Sequence, residues 1–186
     1  MIGYAICGSF CSFSRSLSVL ERLIESGEDV LPIMSETAYS TDTRFWLAEE
    51  FVRRVESLCG REVIHSIRDA EPLGPKIPLE AMIIAPCTGN TLSKLSRGIS
   101  DTGVTMAAKA HLRSDRPLLI ALCSNDAMSQ NLESLSRLVC RRSVGFVPMV
   151  QDDPEGKPHS LVAKLELVPD ALAALRRGRQ LRPLFI

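Results

Sequence analysis

The stretch Ala81–Arg113, AMIIAPCTGNTLSKLSRGISDTGVTMAAKAHLR, decides the fold. An apolar run at 81–85 meets Pro86 and a small polar turn, Cys87-Thr88-Gly89-Asn90, and an amphipathic segment follows that stops at Gly98. That order predicts strand, turn, helix. The apolar run lacks polar alternation, as a central strand covered on both faces requires. In an open parallel α/β sheet, ligands bind beyond the carboxyl ends of the strands, where loop amides and helix N-termini face a crevice. Thr88, Asn90 and Thr91 are therefore predicted to point at a ligand.

Outward from this stretch the same alternation repeats. Ile2–Cys7 predicts a first strand, Gly8–Ser12 a tight loop, and Phe13–Glu25 a helix carrying Leu17, Leu20, Leu23 and Ile24 at helical spacing. Asp29–Met34 predicts a second strand ending in Ser35, which makes a βαβ unit with a right-handed crossover. Thr43–Cys59 predicts a second helix stopped by Gly60, Glu62–Ile67 a short strand, and Pro72–Pro78 a connection. Thr102–Leu112 predicts a helix, Pro117–Cys123 a strand, Met128–Val139 a helix and Gly145–Val150 a final strand. Gln151–His159 is a polar loop, Ser160–Leu167 fits either a strand or a short helix, and Pro169–Gly178 reads as a helix from its Pro start and Gly stop. The whole predicts one domain, residues 1–186, with 151–186 a polar loop plus a C-terminal helix packing on it. Its class is a three-layer α/β/α Rossmann-like (flavodoxin-like) fold with a mainly parallel sheet.

Composition narrows the partners. Twenty-two Lys plus Arg balance twenty-two Asp plus Glu over 186 residues, so no global field draws the chain to nucleic acid or to an anionic membrane. No apolar run approaches the roughly 20 residues of a membrane span, and the start lacks the pattern of a signal peptide. A cytoplasmic location is expected, with small molecules and other chains as partners. The six cysteines are scattered without CxxC spacing and read as reduced thiols, and Cys7 and Cys11 lack the second pair that a tetrahedral metal site needs.

Three loops converge in this scheme: Gly8–Ser12, Ser35–Ser40 and Cys87–Thr91. Each offers small hydroxyls and free amides, which suit an anionic group at helix N-termini. A dinucleotide GxGxxG is excluded because only Gly8 is present, so the loop fits the phosphate of a mononucleotide or flavin; the competing role for Ser12 or Ser14 is helix capping. The Asn90 amide both donates and accepts, and either reads a heterocycle edge or carboxylate or bonds its own turn. Arg44 follows the second strand's loop and reaches either the crevice or solvent. His65, His111 and His159 lie outside these loops, which leaves nucleophilic triads without positional support. Cys87 is a reactive thiol or a small filler beside a ring, and Asp101 caps the next helix. No catalytic residue is assigned, and a cofactor carrying the hard chemistry is the consistent expectation.

Ala85-Pro86-Cys87-Thr88-Gly89-Asn90-Thr91, with Lys94-Leu95, Gly98-Ile99 and Asp101, resembles the APxSANTxxKxxxGIxD signature of the flavin-dependent cysteine decarboxylase and flavin prenyltransferase family. The resemblance implies an FMN-type cofactor held by Gly8, Ser9, Ser35, Pro86, Cys87, Thr88, Asn90 and Thr91, with Asn90 also on the substrate side; Arg44, by its position alone, is the other substrate candidate. It also implies homo-oligomers with the flavin at subunit interfaces. QDDPEGKPHSLVAK at 151–164 narrows the resemblance to a two-chain enzyme of endospore formers. That branch implies a separate A chain and joint oxidation of dihydrodipicolinate, a small cyclic dicarboxylate, to dipicolinate in the mother cell. The hydride acceptor is then flavin here or NAD(P) on the partner. Two departures disfavour cysteine decarboxylation: no histidine lies between Met1 and Ser57, and only Asn125, Met128 and Asn131 stand where that family has its PxMNxxM clasp. A non-catalytic scaffold with a vestigial flavin cradle and a stand-alone decarboxylase or prenyltransferase are the alternatives.

Overall fold

The computed structural model describes residues 1–74 and 76–186; Pro75, inside the predicted connection Pro72–Pro78, lies outside the described residues. Five strands run parallel: β1 (Ile2–Ile6), β2 (Val30–Met34), β3 (Met82–Cys87), β4 (Leu118–Ser124) and β5 (Val144–Phe146). Two more, β6 (Met149–Val150) and β7 (Leu161–Ala163), pair with each other antiparallel, and β7 pairs with the last two residues of β4. The order is β2-β1-β3-β4-β7-β6, with β5 alongside the first half of β4. The sheet is mainly parallel, as predicted, and β4 forks because its two halves have different neighbours.

The helices are α1 (Phe13–Glu25), α2 (Glu36–Ser40), α3 (Ala48–Cys59), α4 (Ile67–Ala70), α5 (Gly89–Arg97), α6 (Gly103–Leu112), α7 (Leu132–Val139) and α8 (Val168–Arg176). Alternation along β1 splits the core: Ile2, Tyr4 and Ile6 pack with α1, α3 and α8, whereas Ala5 and Cys7 pack with residues of α5, α6 and α7. Burying Tyr4 strands a hydroxyl, and Ser16 of α1 satisfies it through its backbone oxygen and its Oγ, both at 3.0 Å. The segment after β6 returns to this core, with Leu165, Val168, Leu172 and Leu175 buried against the α1 face.

Several predicted boundaries are corrected. Thr43 does not open a helix, because its Oγ1 accepts the Phe45 and Trp46 amides in a turn and the helix starts at Ala48. The expected loop Ser35–Ser40 contains α2, capped by Ser35. Glu62–Ile67 makes one parallel bridge, Ile33 to Ile64, and no strand. The helix expected from Met128 begins at Leu132, after a turn whose amides at Ser129 and Asn131 bond the Asp126 carbonyl. The expected strand 145–150 is two strands with different partners. Asp101 caps nothing: Thr102 caps α6 in a reciprocal pair with Thr105, and Asp101 instead forms an ion pair with Lys94 at 2.9 Å.

Candidate functional site

The C-terminal tips of β1, β2 and β3 bring the three predicted loops together. A Cβ placed on Gly8 would lie 3.3 Å from Thr37 Cγ2, so the first loop packs on the first turn of α2. Across the other gap, Thr91 Oγ1 donates to Cys7 Sγ at 3.3 Å and ties the first turn of α5 to the end of β1. Ser35 is buried, and its Oγ accepts the Ala38 amide at 3.2 Å, which leaves its own proton available.

The β1 loop is a short 3₁₀ turn, Phe10–Ser12, that runs into α1. Half-buried Ser9 lies 3.4 Å by its Oγ from Ser12 Oγ, and Arg15 reaches back toward the same Ser12 Oγ at 3.5 Å. The first turn of α1 contains no acidic residue. A cation there opposes the helix dipole, so this end is electrostatically set for an anion. Sequence reasoning missed Arg15; its signal was a lone Arg in an acid-free first turn.

At the β3 tip the strand continues through the cis peptide Ala85–Pro86 to Cys87, two residues past the predicted end, and Thr88 caps α5 by accepting the Thr91 amide at 3.3 Å. Pro86 is held in the sheet by its carbonyl, which accepts the Cys7 amide at 3.1 Å. Cys87 is fully buried, and burial drives its thiol well above the ordinary range, while Cys7 is pushed to about 11. Both stay neutral at pH 7, so Cys87 is a filler and no nucleophile. Thr91 is turned inward, contrary to its predicted orientation. Asn90 is exposed, and its amide has no hydrogen-bond partner among the described residues, which leaves the turn-residue alternative without support. Arg44 is exposed in the loop before α3, its guanidinium 4.9 Å from the Phe45 ring centroid; nearby, Trp46 donates to Ser14 Oγ at the start of α1.

A fourth element completes the crevice, the turn after β4. Asp126 accepts from Ser124 Oγ through a short bond and from Asn131 Nδ2 at 2.9 Å. This cluster presses on Gly89, where a Cβ would lie 2.6 Å from Asp126 Oδ1 and 2.7 Å from Asn131 Nδ2. No side chain fits there. The β6–β7 hairpin borders the same turn, with the Met128 amide bonding the His159 carbonyl at 2.9 Å. Of the three histidines, His111 is buried in α6 on the Pro117 carbonyl, and His65 stacks on Tyr39 with centroids 3.7 Å apart. The donor set of the crevice fits a flavin mononucleotide: hydroxyls and Arg15 at one end for the phosphate and the free Asn90 amide at the other for a ring edge, with Pro86 and Cys87 buried in the strand beneath, contrary to the expectation that they contact the ring.

Comparison with known proteins shows the family and the fold. The Flavoprotein family model matches residues 1–167. The B subunit of dipicolinate synthase from Bacillus subtilis is 42% identical over 185 residues, covering 100% of this chain and 92% of the relative. The crystal structure of the corresponding B subunit from Bacillus halodurans superposes with a TM-score of 0.91 at 38% identity, covering 100% of this chain and 95% of that one. The FMN-dependent cysteine decarboxylase SpaF shares the fold at TM-score 0.69 and 19% identity over 95% of each chain.

Proposed function

This chain belongs to the flavoprotein family, and from that premise we propose that it is the flavin-holding B subunit of a dipicolinate synthase, acting with a separate A subunit to oxidise dihydrodipicolinate to dipicolinate. The observation that carries the proposal is similarity to dipicolinate synthase B subunits along the whole chain, on a fold whose crevice has the donors that FMN needs. FMN binds with its phosphate at Gly8, Ser9 and Arg15 and with Ser35 donating its free proton; Thr88 and Asn90 line the ring, buried Pro86 and Cys87 shape the strand end beneath them, and Thr91 positions Thr88 from behind. Asn90 offers the substrate or ring a paired donor and acceptor. Arg44 reaches a substrate carboxylate only by leaving Phe45.

Aromatising a dihydropyridine removes a hydride and a proton, and no side chain here accepts a hydride; a bound flavin supplies that acceptor, with NAD(P) on the A subunit as its alternative source. The chain acts as a homo-oligomer in the cytoplasm of the mother cell. No helix among the described residues is long and apolar enough to cross a membrane.

Two measurements test the proposal. Purified protein mixed with FMN should develop a protein-bound flavin spectrum, and the A subunit should produce dipicolinate only when the flavin-loaded chain is added. Equal rescue by the apo and loaded forms identifies a scaffold, and turnover without the A subunit identifies a stand-alone enzyme.

A further inference from the structure

We propose that Asp126 is the catalytic base of this site, placed beside the ring by the absence of a side chain at Gly89. The inference rests on the aromatisation reaction proposed above. The signature that this chain resembles has Ala at the position of Gly89, and here even a methyl group would collide with Asp126 Oδ1 and Asn131 Nδ2. The space a methyl would take is filled by the Ser124 hydroxyl, the Asp126 carboxylate and the Asn131 amide, next to the exposed Asn90.

Three features prepare Asp126 for proton transfer. Ser124 and Asn131, both at least nine-tenths buried, hold its two oxygens and fix its orientation. These bonds use about two of the roughly four acceptor sites of a carboxylate, so capacity remains for a ring proton. Asp126 itself is half-buried, in the turn at the C-terminal end of β4. It also supplies, from another element, the acid that the first turn of α5 lacks, so the charge is held in place before substrate arrives. The other carboxylate near these tips, Glu36 at the start of α2, accepts the Gly103 amide at 3.1 Å.

The step balances. One ring C–H bond breaks with its electron pair, and the hydride passes to the acceptor, a flavin or nicotinamide. The adjacent ring position loses its proton to the Asp126 carboxylate, and the electron pair left behind closes the aromatic sextet. The protonated Asp126 returns its proton to water after product leaves.

The test uses full-length protein with its A subunit, starting from wild type. Asp126→Asn keeps the acceptor toward Ser124 but removes the base. It should lower kcat at least 100-fold with KM within about threefold, while FMN uptake persists and the dicarboxylate product binds at least as tightly, because a negative charge facing an anion is gone. Gly89→Ala, which displaces the carboxylate by adding a methyl group, should reproduce the loss of kcat with FMN retained. A wild-type kcat in Asp126→Asn overturns the assignment, and so does a loss of FMN or product binding in parallel with activity, which marks a structural role. A wild-type pair that makes no dipicolinate overturns the proposed function instead.

Discussion

The N-termini of α1 and α5 open into one crevice and carry opposite electrostatics. At α1, Ser9, Ser12 and Arg15 surround a first turn with no acid. At α5, Thr88 caps the helix and Asp126 lies against Gly89. Two helix dipoles that would each attract an anion are thus differentiated, one reinforced by a guanidinium and the other already neutralised by a carboxylate. An amphiphilic ligand with a phosphate at one end and an uncharged ring at the other has only one favourable orientation between them.

The largest expected effect comes from making the two ends alike. Ser9→Asp puts a carboxylate at the phosphate end, where like-charge contact costs several kcal/mol, so FMN affinity measured by fluorescence quenching should fall more than about 100-fold. Gly89→Val attacks the other end. Overpacking against Asp126 and Asn131 should cost about 1–3 kcal/mol in urea unfolding; an unchanged midpoint would mean that the turn after β4 moves freely away. Arg15→Gln tests the reinforcement at α1 with a smaller loss. FMN affinity should drop about tenfold and lose part of its salt dependence, as for an exposed charge-assisted contact. Thr88→Val removes only the cap of α5 and should cost about 1 kcal/mol of stability, with Thr88→Ser restoring it.

Much of the scaffold was legible because its signals are local. Apolar runs, Gly60 and Gly98 marked β1, β2, β3 and the helix stops, and both glycines have positive φ. Phe13–Glu25 was bounded to the residue. Boundaries failed where a turn competes with the helix, through the Thr43 hydroxyl and through the Asp126 carbonyl, or where pairing partners change, at Val147–Pro148. The sequence placed Ser9, Ser35, Thr88 and Asn90 at strand ends, and the structure has them there. Thr91 was assigned the wrong direction because facing Cys7 is a matter of packing, invisible in spacing. Arg15 was not singled out, because little beyond its acid-free first turn distinguishes it from any other helix cation.

By itself the sequence determined the alternation of strand and helix, the parallel core, and the loops that could hold a ligand, because hydrophobic period and turn residues act over a few positions. Which polar groups face one another was decided only by the tertiary structure. Gly89 and Asp126 are thirty-seven positions apart, and their contact exists because β3 and β4 are neighbours in the sheet. A crevice acquires its charge pattern from such contacts between strand tips, and these depend on strand order and register, which no local spacing encodes.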